Sequence, residues 1–140
     1  MRAGVWAVAV VAVAAAAPAA AASVEPLTWT WTASYVTGRQ VETYFTATNP
    51  RSEPVDVVST LPRTQGAVQL YGYGFSSGTP AWDIALQSTT IVGTVTLPAQ
   101  SAATTPWIGF YTNSATTQVL TASLTPAFDP AVPFLSLSFS

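Results

Sequence analysis

The sequence predicts an all-β fold, an antiparallel sandwich of about eight strands that follows a cleaved leader. Three observations carry this expectation. Short runs rich in Val, Thr, Ile, Tyr, Phe and Trp recur along the chain, separated by clusters of Pro, Gly, Ser and Asn. Within each run one alternate set of side chains is apolar and the other is mostly Thr or Ser, which is how antiparallel strands buried on one face read. Beyond residue 22, apolar residues never persist at three-four spacing through a helix-length window, so nothing reads as a helix.

The leader comes first. Met1-Arg2 gives a positive start, Gly4–Ala17 is an unbroken apolar run, and Ala20-Ala21-Ala22 offers the small residues that a signal peptidase needs. The expectation is a signal peptide over residues 1–22 and one β-sandwich domain over 23–140, secreted or held in the cell envelope. A single arginine does not make a twin-arginine signal, and without cysteine no lipid anchor can be attached. The alternative, that the apolar run is kept as the assembly helix of a pilin-like subunit, is disfavoured by Pro18. No other stretch is long and apolar enough to span a membrane as a helix.

The strands then follow in order. Leu27–Ser34 places Trp29 and Trp31 on one face and Thr28, Thr30 and Thr32 on the other. The tryptophan face is expected to meet the protein's own core, with a subunit interface or a sugar platform as the alternatives. Gln40–Thr48 places Val41, Thr43, Phe45 and Ala47 together, and NPRSEP at 49–54 breaks the run with two prolines. Val55–Leu61 resumes it. Ala67–Phe75 follows, and SSGTP at 76–80 is the next break. Ala81–Gln87 aligns Trp82, Ile84 and Leu86, and Thr90–Leu97 aligns Ile91, Val95 and Leu97 around Gly93. Pro98–Ala102 is a turn. Pro106–Thr112, Thr116–Thr125 and Phe134–Ser138 complete the set. Three prolines make Pro126–Pro133 the closest approach to a linker.

Composition removes several functions. The 140-residue chain has no lysine, cysteine or histidine. Over residues 23–140, Arg39, Arg51 and Arg63 stand against Glu25, Glu42, Glu53, Asp56, Asp83 and Asp129, a formal charge of −3. The basic footprint of a nucleic-acid binder is missing. Disulfides, Cys/His metal sites and Cys/His nucleophiles are excluded. No nucleophile elbow, phosphate loop or dinucleotide fingerprint occurs. Glu42 and Asp56, which the 49–54 turn would bring onto neighbouring strands, are the only carboxylate pair worth weighing as a glycosidase dyad, and both read as solvated. No catalytic residue, metal site or cofactor is expected.

Two stretches carry functional expectations. In LYGYGF at 70–75, a strand register that buries Val68 and Leu70 turns Tyr71, Tyr73 and Phe75 outward as an aromatic strip for a protein or glycan partner. A bulge at Gly72 would change that register. In PFLSLSFS at 133–140, Leu135, Leu137 and Phe139 share one face. The expectation is the last strand of its own sandwich, and the sharper alternative is strand exchange with a second copy.

The segments VETYFTATNPRSEPVDV (41–57) and TVTLPAQSAATTPWIGFYT (94–112) resemble hairpin and edge motifs of secreted immunoglobulin-like modules, including the BsuPI-type proteinase-inhibitor domain. The resemblance implies an immunoglobulin-like sandwich. It implies a secreted, non-enzymatic interaction or structural module, with a proteinase inhibitor as one alternative. The detachable C-terminal strand adds another, self-association into a filament.

Overall fold

A computed structural model describes residues 25–140; the expected leader lies outside them. The described residues form an antiparallel, immunoglobulin-like β-sandwich with no helix among them.

Twelve strands build it: β1 (Thr28–Thr37), β2 (Gln40–Asn49), β3 (Val55–Pro62), β4 (Thr64–Gln65), β5 (Val68–Tyr73), β6 (Asp83–Leu86), β7 (Thr90–Leu97), β8 (Ser101–Thr104), β9 (Ile108–Thr112), β10 (Thr116–Thr121), β11 (Ser123–Thr125) and β12 (Phe134–Phe139). One sheet runs β1-β2-β9-β5-β4, with β8 also paired to β2; the other runs β11-β3-β7-β6. β10 and β12 form a ribbon. The expected single strand Thr116–Thr125 is divided at Ala122: its first half pairs with β12 and its second half with β3.

β12 closes one edge of the sandwich. It lies alongside β1 in the same direction: Phe134 meets Trp29 edge-on at 5.9 Å and Phe139 meets Tyr35 at 6.1 Å. The Tyr35 hydroxyl accepts a hydrogen bond from Ser138 N at 2.9 Å, and Ser140 N donates to Gly38 O at 3.0 Å. Arg39 adds a staple, donating from Nε to Ser140 O (2.8 Å) and from Nη1 to Asn113 O (2.6 Å).

The core is aromatic at its centre. Phe45 is stacked on Trp29 (6.3 Å between ring centroids) and receives Trp31 and Trp82 edge-on at 6.0 and 6.2 Å. Such offset and edge-to-face geometries add to the gain from burial itself. Trp82 reaches across from the other sheet, donates from Nε1 to Ala103 O at 3.1 Å, and rests over Gly93, where a Cβ would lie 3.0 Å from its ring. The strand-spaced tryptophans of β1 therefore serve the core, with Trp31 buried and Trp29 half-buried, its Nε1 bonded to Pro130 O. Burying several large rings compensates for the missing disulfides, each contributing roughly 1.5–3 kcal/mol by area.

Three sequence expectations are corrected. The 49–54 segment is not a hairpin turn. It is a corner that carries the chain from β2 in one sheet to β3 in the other. Asn49, fully buried, holds the corner: Nδ2 donates to Glu53 O, Leu97 O and Pro98 O, and Oδ1 accepts from Arg51 N. Glu42 and Asp56 consequently lie in different sheets, and Asp56 is bonded to the Thr96 hydroxyl at 2.6 Å. Pro126–Pro133 is not a free linker either. Phe128 and Pro133 are buried, and Phe128 bridges Leu27. Leu86, expected on the core face with Trp82, is exposed near the end of the edge strand β6.

Candidate functional site: an aromatic face on the outer sheet

The site is built where β5 pairs with β9. Leu70 sits opposite Phe110, but the next pair is Gly72 with Gly109, so Tyr71 is an extra residue without a partner. This is a β-bulge, and it changes which face the following side chains occupy. Val68 is buried and Leu70 packs against the core, as expected. Tyr71 points outward and is 38% exposed, whereas Tyr73 turns inward and packs on the core. Phe75, just past the strand end, is 98% exposed. The strip Tyr71–Tyr73–Phe75 is thus not one face. The bulge takes Tyr73 out of it.

Two other aromatics take its place. Trp107 precedes β9 and Tyr111 lies within it, on the outward alternation of Trp107, Gly109 and Tyr111. Tyr71 lies between them, 5.9 Å from Trp107 at a tilt of 31° and 6.4 Å from Tyr111 at 63°. The seating depends on glycine. A Cβ at Gly109 would stand 2.5 Å from Cζ of Tyr71, so only a bare backbone lets that ring lie flat on the strand. Trp107 lies over Gly72 and Gly74 in the same way, 3.2 and 2.6 Å from where their Cβ atoms would be. Each strand therefore lends a ring to cover the other strand's glycine.

The polar surroundings are sparse. The Tyr111 hydroxyl donates to Gln69 Oε1 at 3.1 Å. Beside the rings, Thr37, Arg39 and Gln40 help to line a shallow depression with Tyr71 and Tyr111. Between the sheets the packing leaves about 30 Å³ among Trp31, Phe45, Leu61, Ile91 and Ile108. That is room for a water and not for an organic ligand. Among the described residues no group of three His, Cys, Asp or Glu side chains could hold a metal ion, and no helix is long and apolar enough to cross a membrane.

The second candidate set stays within its own sandwich. Leu137 and Phe139 are buried, Leu135 is half-buried, and β12 pairs with β10 from Phe134 to Phe139. Trp107 and Tyr111 were missed by the sequence reading. The signal was there: in PWIGFYT the residues Trp107, Gly109 and Tyr111 alternate with Ile108, Phe110 and Thr112, and an aromatic–glycine–aromatic face opposite an apolar one marks a seat for a ring.

The fold and this face define a β-sandwich module that presents aromatic side chains from the outside of one sheet. No protein-family model matches the chain, and no curated protein matches it. Among solved structures it is similar to a non-cellulosomal cohesin from the hyperthermophilic archaeon Archaeoglobus fulgidus, with a TM-score of 0.48 and 10% identity over 81% of this chain and 83% of that one.

Proposed function

We propose that the protein is an exported, non-enzymatic interaction module that binds a protein partner through Tyr71, Trp107, Tyr111 and the neighbouring Phe75. The observation that carries this reading is Phe75. A phenylalanine 98% exposed just past the end of β5 gains no burial from its own fold. Its burial by a partner would yield the full transfer free energy of the ring, roughly 1.5–3 kcal/mol. A protein partner is favoured over a glycan by the ring geometry. Tyr71, Trp107 and Tyr111 lean on one another at 31° and 63° and do not form a coplanar platform. Phe75 is a knob without a hydroxyl, suited to an apolar pocket. Export is supported by the leader-like residues 1–22.

Co-purification from the producing culture tests this reading. Wild-type protein should retain a discrete protein partner that Phe75→Ser and Tyr71→Ser lose. Val58→Ser, on the exposed face of the other sheet, should keep it. Equal retention by all four proteins would sink the assignment, and retention on polysaccharide alone would move it to a glycan. Assembly by strand exchange through Leu135, Leu137 and Phe139 is the weaker reading, because β12 already pairs along its length with β10 of its own chain.

A further inference from the structure

We infer that the outer sheet binds an arginine side chain of the protein partner, with Glu42 taking the guanidinium fork and Tyr71 stacking on its plane. This rests on the interaction reading above and names the chemistry that the face recognises. The register of β2 puts Glu42 there. Val41 and Thr43 are buried, so Glu42 between them points to the outer face, where it is half-buried. It stands opposite Gly109 of β9 on one side and Ser34 of β1 on the other. Directly opposed positions hold their Cβ atoms roughly 5 Å apart. At Gly109 that place is taken by the Tyr71 ring, whose Cζ lies 2.5 Å and whose hydroxyl oxygen lies 2.8 Å from where the Cβ would be. The side chain of Glu42 and the phenol of Tyr71 are therefore neighbours across the β2–β9 ladder. Tyr111, opposite Gln40, and Tyr44, two residues along β2, share the face. Trp107 backs Tyr71 at 5.9 Å.

A carboxylate set among rings attracts a cation, and the described residues do not supply one. Lysine and histidine are absent. The arginines are committed to main-chain oxygens: Arg39 to Ser140 and Asn113, Arg51 to Glu25, Arg63 to Gln87 and Ser88. Asp56, by contrast, is answered by the Thr96 hydroxyl. Six carboxylates stand against these three arginines, so the field of the domain also favours a basic partner. Among cations the guanidinium fits best. Its plane can lie on the Tyr71 ring while two parallel N–H groups reach both oxygens of Glu42. Ser34 and Gln40, at the neighbouring positions of β1 and β2, carry oxygens for the remaining N–H groups. An ammonium is a compact, strongly hydrated point charge and cannot use ring and fork together. A quaternary ammonium is drawn to the rings but has no N–H for the carboxylate.

Titration of isotope-labelled protein with N-acetyl-arginine amide, N-acetyl-lysine amide and choline tests the inference, read by NMR at the Gly109 amide and the Trp107 indole N–H. Arginine amide should shift both signals saturably. Lysine amide should bind about fivefold more weakly, and choline more weakly still. Glu42→Gln keeps the shape and removes the charge, and should weaken arginine binding about tenfold. Tyr71→Leu keeps apolar bulk without the ring face and should weaken it about threefold. Added salt should weaken binding in the wild type and hardly at all in Glu42→Gln. Signals elsewhere in the spectrum that stay in place would show that both variants keep the fold. Three results would overturn the inference: no saturable shift with arginine amide, undiminished binding by Glu42→Gln, or choline bound as tightly as arginine. A partner that co-purifies equally with wild type and Glu42→Gln, but is lost with Phe75→Ser, would leave the interaction module standing and remove arginine as the group it reads.

Discussion

Replacing Asn49 should show how strongly one side chain fixes the relation of the two sheets. Asn49 is fully buried at the β2–β3 corner. Its Nδ2 donates to Glu53 O, Leu97 O and Pro98 O at 2.8, 3.2 and 3.1 Å, and its Oδ1 accepts from Arg51 N at 3.0 Å. Two amide protons and one acceptor are thus engaged, with one proton shared. At about 0.5–1.5 kcal/mol per bond, Asn49→Ala should cost about 3 kcal/mol. For a domain of this size that is a fall of about 12 °C in Tm. Asn49→Asp keeps the shape but turns the donor into a buried anion facing three carbonyl oxygens. It should cost at least as much as alanine. Urea unfolding followed by far-UV circular dichroism measures both, and an unchanged m-value would show that the native state itself was destabilised. An alanine variant that loses less than about 1 kcal/mol, or an aspartate variant more stable than alanine, would refute the reasoning.

Tyr73→Ser should destabilise by about 2 kcal/mol, because the ring packs on the core, while Phe75→Ser should stay within about 0.5 kcal/mol of wild type. Thermal melts of the two variants separate the bulged register from an unbroken strip. Deleting Phe134–Ser140 removes the buried Leu137 and Phe139 and should cost about 3–6 kcal/mol in urea unfolding; a truncated chain that melts unchanged would show that β12 does not close the seam with β1. Intact-mass measurement of the exported protein should find a start near Ser23, and a product that retains Gly4–Ala22 would support the pilin-like alternative.

Strand identity was legible wherever alternation was long and one face was plainly apolar. Val41, Thr43, Phe45 and Ala47 are all buried on one face of β2, as their spacing predicts, and Thr28, Thr30 and Thr32 are exposed opposite the tryptophans. The buried Thr43 shows the limit of polarity as a guide. Its hydroxyl donates to Ile108 O at 3.0 Å, which satisfies it inside the core. Pairing between distant strands was not legible. An NPRSEP segment reads as a turn whether the next strand returns beside the last one or crosses to the opposite sheet. The choice is made by Asn49 contacting Leu97 and Pro98, far along the chain.

The candidate site was half legible for the same reason. YGYG alternates perfectly, so its own sequence gives no sign of a bulge. The extra residue is defined only against β9, where Gly109 provides the bare backbone that Tyr71 lies on. Phe75 is exposed because it lies past the end of β5, where no side chain packs on it. Ala122 divides Thr116–Thr125 between β12 and β3 without any proline or glycine to mark the division.

Photo-crosslinking from the aromatic face tests the central claim most directly. A benzoylphenylalanine placed at position 75 in the otherwise native, exported chain reports what lies within a few ångströms of that side chain in the producing culture. The account predicts one discrete protein adduct from position 75, lost when Tyr71→Ser or Gly109→Val disturbs the adjoining rings, and no adduct from the same probe at Val58 on the opposite sheet. The absence of any protein adduct at 75, or an identical one from 58, would contradict it.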